Sequence, residues 1–397
     1  MAQRVRCPVC QSTSVSTFLN REGVPMIQNL LMKDQSAAMQ VPRGNLSMVV
    51  CKECGFVFNQ AFETSDSMYG DSYDNTQTSS PLFVTYVDGL ASDLVSNKGV
   101  RHCRIVEVGC GKGLFLRRLV EAPDSGNTGH GFDPSYVGPM VDAGGRLTFE
   151  KRYYDGQCTD VAADVVVSRH VIEHVPDPVD MLRTVRQALA NSSHAKVFFE
   201  TPCVEWILTN RVIWDFFYEH CSYFGAASLT TAFETAGFEV QSIRNVFTGQ
   251  YLWAEATVSG KKSAVCRRPG PVPDLAIQFA TSERRLKEAL VSRIGELGRK
   301  GNVALWGAGA KGVTFANLAD PKRECIACVV DLNPRKQGKY IPGTGHPIVG
   351  YRELPRFGVR SAILMNPNYR QENLGFLRDS GLDVELIDLM DPGRGEI

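Results

Sequence analysis

The stretches "RIVEVGCGKGLFLRRLV" (104–120) and "NVALWGAGAKGVTFANL" (302–318) state one pattern twice: a short apolar run, a turn of closely spaced glycines, then an amphipathic run of helical period. Few folds satisfy it. A strand that is apolar throughout must be covered on both faces, and a helix leaving it through glycines packs back on the sheet, which is the logic of a parallel α/β layer. Two copies, the second with one extra residue in the turn, predict two such sheets and read as a diverged internal duplication.

The surrounding sequence sorts into three segments. Around the first unit, "GHGFDPS" (129–135), "ADVVVSRHVIEHV" (163–175), "AKVFFETP" (195–202) and "FEVQSIRNVF" (238–247) continue an alternation of strands and helices. "CRRPGPVPD" (266–274) has the composition of a linker. After it, Leu275, Phe279, Leu286, Leu290, Ile294 and Leu297 fall on one face of a helix that leads into the second unit. The expected boundaries are 1–72, 73–265 and 266–397.

The first segment carries "CPVC" (Cys7, Cys10) and "CKEC" (Cys51, Cys54), with 40 residues between the pairs. Each pair presents two thiols from a tight turn, and two pairs complete a tetrahedral four-cysteine shell for Zn2+. Such a shell has no open position, so the zinc is expected to be structural. Cys325 and Cys328 repeat the spacing without a second pair, and strand alternation sends them to opposite faces as packed thiols.

Lys plus Arg and Asp plus Glu are both 43, so the net charge is zero. That balance gives no basic stripe for a nucleic-acid partner. No run reaches the roughly 18 apolar residues of a membrane span, and "MAQRVRCPVCQ" has no signal-peptide core. The expectation is a cytoplasmic protein, monomeric or homodimeric, with a small-molecule substrate.

In the first unit, Gly109, Gly111 and Gly113 let a nucleotide approach the backbone. Asp133, 20 residues after Gly113, ends the next strand where a carboxylate can accept ribose hydroxyls. These features fit NAD or S-adenosyl-L-methionine. Glu107 favours the second, since a carboxylate there repels a pyrophosphate and can hold an ammonium group. His170, at the end of a further strand, lines the same place. The second unit has Gly307, Gly309 and Gly312 with Asp331 19 residues on, a formal dinucleotide fingerprint. An NAD(P)-binding oxidoreductase or sensor is therefore an alternative of another class.

One further run stands out. "DFFYEHCSYF" (215–224) surrounds Glu219 and His220 with aromatics, as a core segment or as an apolar pocket around an acid and a base. The E-x-G-x-G-x-G string with "SRHVIEHV" looks like a class I methyltransferase. With "CPVC…CKEC", "YEHCSYF", "WGAGAKG" and "DLNPRKQGKYIPGTGHPI", the chain resembles the three-domain, zinc-containing sugar C-methyltransferases of antibiotic deoxysugar pathways. The resemblance covers nearly the whole chain. It implies a class I, Rossmann-like adenosylmethionine domain between a zinc lobe and a second Rossmann-like domain that serves the substrate. It puts the catalytic base in the string Tyr218, Glu219, His220, with His174 and Tyr73 lining the same pocket. The implied substrate is a nucleotide-linked deoxyketosugar. "FTGQYLWAEA" (247–256) and the stretch between the two cysteine pairs depart from the family pattern.

Methylating carbon needs a carbanion equivalent. A base removes a proton beside a carbonyl, and the enolate attacks the sulfonium methyl. Histidine's ordinary pKa suits His220 to that task, with Glu219 orienting it and Tyr218, His174 or Tyr73 donating to the enolate oxygen. The same cofactor with an oxygen or nitrogen acceptor is the alternative within the class.

Overall fold

The computed structural model describes residues 5–30, 32–64, 73, 76–192, 195–258 and 267–390. Residues 72, 265 and 266, where the expected boundaries fall, lie outside the described residues.

The chain opens with β1 (Val15–Pro25), α1 (Gln35–Met39), β2 (Arg43–Cys51) and β3 (Val57–Asn59). β1 and β2 form a long antiparallel pair with two register shifts, and β3 returns along β2. Leu46, Met48 and Val50 alternate along β2 into one core cluster, and Val49 and Cys51 into another, so this small sheet is buried on both faces.

The middle of the chain runs α2 (Pro81–Ser96), β4 (Arg104–Val108), α3 (Leu114–Glu121), β5 (Thr128–Phe132), β6 (Val141–Asp142), β7 (Leu147–Glu150), β8 (Val165–Arg169), α4 (Pro178–Ala188), β9 (Lys196–Pro202), α5 (Val204–Thr209), β10 (Ser222–Tyr223), α6 (Ala226–Thr235), β11 (Phe238–Val246) and β12 (Tyr251–Val258). Its sheet has the order β11-β12-β9-β8-β4-β5-β7-β6. β4, β5, β7, β8 and β9 are parallel, and β12 is inserted antiparallel between β9 and β11. From β4 the chain goes one way to β5 and the other way to β8, so a crevice opens at the carboxyl end of β4. β10 leaves this sheet. It pairs with β3, Ser222 opposite Phe58 and Tyr223 opposite Val57, and becomes the fourth strand of the N-terminal sheet.

α7 (Val272–Gly298) then leads into β13 (Asn302–Trp306), α8 (Ala310–Ala319), β14 (Ile326–Val330), β15 (Ile348–Val349), β16 (Val359–Leu364), α9 (Arg370–Asp379) and β17 (Glu385–Ile387). The sheet order is β15-β14-β13-β16-β17, parallel throughout. Five of the six apolar positions foreseen on α7 are buried, and Leu275 packs at the margin. Each large side chain so buried contributes about 1.5–3 kcal/mol. Cys328 is buried as expected, but Cys325 precedes β14 on the exposed side and is not a packed thiol.

The two glycine turns are built alike. Gly109 N donates to Phe132 O and Gly307 N to Val330 O, both at 2.8 Å. Asp133 accepts from Gly111 N and Ser135 N, and Asp331 from Ala308 N and Asn333 N, at 2.7–3.0 Å. Each aspartate thus braces its turn from the end of the neighbouring strand. In both turns a glycine is required by space: a Cβ on Gly109 would lie 2.1 Å from Val171 Cγ2, and one on Gly312 would lie 1.9 Å from Gly307 O.

The carboxyl ends of the two parallel sheets face each other and are bridged. Gln250 and Asn366 exchange two amide hydrogen bonds of 2.9 and 3.0 Å. Glu372 accepts from Ser80 Oγ and Leu82 N at the start of α2. Lys311 Nζ sits 2.7 Å from Asp215 Oδ2. Among the described residues, no helix is long and apolar enough to cross a membrane.

Candidate active site

The four N-terminal cysteines converge. Their sulfurs lie within 4.8 Å of one another and all four residues are buried, with Cys7 and Cys54 at 3.6 Å and Cys10 and Cys51 at 3.5 Å. The two turns match: Gln11 N donates to Cys7 O and Gly55 N to Cys51 O, both at 2.9 Å, with Gln11 and Gly55 in the left-handed region. Four buried thiols brought together in this way are the donor set of a closed zinc site.

A cavity of about 170 Å³ opens at the β4–β8 crevice, lined by Glu107, Gly109, Gly111, Lys112, Phe115, Arg169 and His170 among others. Glu107 is buried at 3 % exposure and accepts from Leu116 N in the first turn of α3 at 3.1 Å. Burial pushes its carboxyl up to about 8, against the pull of Arg169. Arg169 is held at 2.5 Å by the buried Glu200, lies over the Phe115 ring, and keeps Nη2 buried without a partner among the described residues. An acid and a guanidinium on one wall suit the two ends of an amino-acid zwitterion, the form of the methionine part of adenosylmethionine. Nothing in the sequence patterns singled out Arg169, although it stands beside His170 in the quoted string. Gly113 caps α3 behind the turn, and Asp133 stands just beyond the lining.

A second cavity, about 270 Å³, lies between the two sheets and shares Thr76, Gln77 and His170 with the first. The carboxyl ends of β8 and β9, and of β13, β14 and β16, all open on it. His170 enters it from a left-handed backbone, unusual outside glycine and a mark of local strain at a site. The histidines gather here. The His174 and His220 rings are perpendicular with centroids 4.7 Å apart, and Phe217 covers His220 at 4.1 Å. His174 Nδ1 lies 3.0 Å from Glu219 O. A carbonyl only accepts, so Nδ1 carries a proton. His220 is buried with Nδ1 unpartnered among the described residues. Burial, then His174, His170 and Lys311, hold its pKa well below the ordinary histidine value. The near-normal histidine expected from sequence is therefore corrected to a firmly neutral one.

Two roles expected in the aromatic string are also corrected. The Glu219 carboxyl does not face His220: it accepts from Tyr73 Oη at 2.9 Å and from the Gln28 and Asn29 amides, tying the first lobe to the string. Tyr218 turns away from the cavity, with its ring on Phe62 and against Gly44 and its hydroxyl accepting from Glu63 N at 2.9 Å. Tyr73, His174 and His220 do line the cavity. So does a residue left unnamed at first, Glu173, buried at 1 % exposure. Its Oε2 accepts from Thr201 Oγ1 at 3.1 Å, while Oε1 has no hydrogen-bond partner among the described residues.

Residues 83–243 match the family described as "Methyltransferase domain", and residues 273–376 the family described as "C-methyltransferase C-terminal domain". The C-methyltransferase NovU of Streptomyces niveus is 25% identical over 365 residues, 86% of this chain and 84% of that protein. A ubiquinone biosynthesis O-methyltransferase of Vibrio campbellii is 29% identical over 126 residues, 30% of this chain and 50% of that protein. Among solved structures, N,N-8-amino-8-demethyl-D-riboflavin dimethyltransferase of Streptomyces davawensis aligns at 24% identity and TM-score 0.34, over 45% of this chain and 56% of that one. With a class I sheet, a methyltransferase match over its glycine turn and a C-methyltransferase match over the second sheet, the chain is an S-adenosylmethionine-dependent methyltransferase similar to the C-methyltransferases.

Proposed function

We propose that the enzyme methylates a carbon beside a carbonyl, on a nucleotide-linked deoxyketosugar, with His220 as the base that generates the enolate. The observation that carries this reading is His220 itself: a buried, neutral imidazole with an unpartnered ring nitrogen, facing a cavity that meets the cofactor crevice at His170.

Adenosylmethionine would sit at the first glycine turn, its ammonium toward Glu107 and its carboxylate toward Arg169, with Gly109, Gly111 and Gly113 allowing close approach and Asp133 near the ribose. When bound it supplies the electrophilic methyl. The chain's own groups do the rest. His220 takes the α-proton, and Tyr73 Oη, exchanging its bond to Glu219 Oε2, donates to the oxygen that becomes negative. Phe217 and Tyr251 exclude water, which strengthens those contacts. The second glycine turn, with Gly309 at the start of α8 and Lys311 and Lys336 beside it, receives the remainder of the substrate. The N-terminal cysteines would hold a structural zinc.

The test is deuterium wash-in. The protein with S-adenosylhomocysteine should exchange the α-proton of a nucleoside-diphosphate deoxyketosugar that it also methylates, and His220→Asn should abolish the exchange. Methylation of such a sugar without any exchange in the absence of a methyl donor would sink the enolate route.

A further inference from the structure

We propose that Glu173 is the positioning residue of His220: its carboxylate accepts from His220 Nδ1, sets the tautomer of the base and balances the charge that the ring gains. This role presupposes the reading of His220 as the base. One carboxyl oxygen of Glu173 and one ring nitrogen of His220 lie within 4.8 Å of each other. Closing that gap to the about 2.7–2.9 Å of a charge-assisted hydrogen bond takes a side-chain rotation.

A donor and an acceptor stand unmatched here. A base that works through Nε2 carries its proton on Nδ1, and His220 Nδ1 is buried without a hydrogen-bond partner among the described residues. Glu173 is buried as well. Its Oε2 accepts from Thr201 Oγ1, while Oε1, an acceptor, has no donor among the described residues. Each buried group left unpaired costs its desolvation, and one bond between the two recovers both.

The other carboxylates that line the cavity are taken. Asp215 is paired with Lys311, Asp331 braces the second glycine turn beside Lys336, and Glu372 accepts from Ser80 and Leu82. Glu219, the partner expected from sequence, is held by Tyr73, Gln28 and Asn29. The competitor for Glu173 is His170, whose Nδ1 stands 3.3 Å from Oε1 without a hydrogen bond.

The base needs such a partner. Burial, His174, His170 and Lys311 all oppose a positive charge on His220. Phe217 and Tyr223 cover the ring without supplying a negative one. As Nε2 takes the α-proton, the electron pair of the broken C–H bond stays on the substrate as the enolate. Nδ1 keeps its own proton in a bond to the carboxylate, as in the histidine–carboxylate pairs of hydrolases, and no proton passes to Glu173.

The test reads the ring directly. Full-length protein labelled with 15N-histidine gives a His220 signal identified by its loss in His220→Asn. In the wild type the proton should sit on Nδ1, and a proton on Nε2 would overturn the proposal without any Glu173 variant. Glu173→Gln should shift the Nδ1 resonance and move protonation of His220 to lower pH, since removing a negative neighbour disfavours the imidazolium. The same variant should lower kcat about 10²-fold and carry its acid limb downward, with KM and S-adenosylhomocysteine affinity within about twofold. A loss of kcat with the limb and the resonance unmoved would make Glu173 a packing residue only. A shift confined to His170 would give it another partner, and either result overturns the proposal. The resonances need no substrate. Coupling without α-proton exchange would therefore sink His220 as the base while upholding the contact, and exchange without coupling would sink the contact alone.

Discussion

The Tyr73 hydroxyl donates to Glu219 Oε2 at 2.9 Å, across 146 positions of sequence. The other carboxyl oxygen receives the Gln28 and Asn29 amides, so one side chain fastens the first lobe to the string that carries His220. Removing it strands buried donors. Glu219→Ala is expected to destabilise the protein by about 2–4 kcal/mol and Tyr73→Phe by about 1–2 kcal/mol, read as shifts in urea midpoint. A change under about 0.5 kcal/mol in both would show that the contact does not hold the lobe.

With Glu107 holding the cofactor's ammonium as proposed, cofactor binding should depend on pH. The folded pKa of Glu107, about 8, lies above the ordinary value of 4.5 because burial favours the neutral acid. The fold therefore loses stability as pH rises from about 4.5 to about 8. An ammonium beside it favours the ionised form, so S-adenosylhomocysteine should bind more tightly as pH climbs toward 8 and should release a proton at pH 7. Calorimetry in two buffers of different ionisation enthalpy reads that proton. Glu107→Gln should erase the buffer dependence, and its persistence would assign the proton elsewhere.

His220→Asn should lower the rate of methyl transfer by about 10²–10⁴-fold while leaving S-adenosylhomocysteine affinity within about twofold, because the ring does not line the cofactor crevice. The depressed pKa adds a sign. A base works when unprotonated, so the acid limb of the kcat–pH profile should fall below the ordinary value of 6.5. A limb at or above that value would contradict the buried, neutral ring.

Cys51→Ser should remove the zinc signal from metal analysis of the purified protein and lower its thermal midpoint, since a structural metal contributes its binding energy to folding. Because Cys51 ends β2 and β2 pairs with β3, the loss should also reduce methyl transfer. Full metal content in this variant would exclude the quartet as the site.

The sheets were legible in the sequence because glycine turns and apolar runs are local signals. Gly109 and Gly307 needed only their neighbours to be recognised. The orientations of side chains in 215–224 were not legible, since Tyr218, Glu219 and His220 are adjacent and only tertiary partners decide which faces the cavity. Phe62 and Gly44 claim Tyr218, Gln28 and Tyr73 claim Glu219, and His220 is left. Glu173 shows the same limit. A glutamate between Ile172 and His174 looks like turn surface until β9 brings Thr201 against it.

The short pairing of Ser222–Tyr223 with Val57–Phe58 has a consequence for inheritance. The candidate base stands two residues before a strand whose partner belongs to the cysteine lobe, so lobe and base share one hydrogen-bond ladder. A chimera that takes the lobe from one relative and residues 215–224 from another would set that ladder with mismatched rungs. The two pieces are therefore expected to survive transplantation only as a single cassette, although more than 150 residues separate them in the chain.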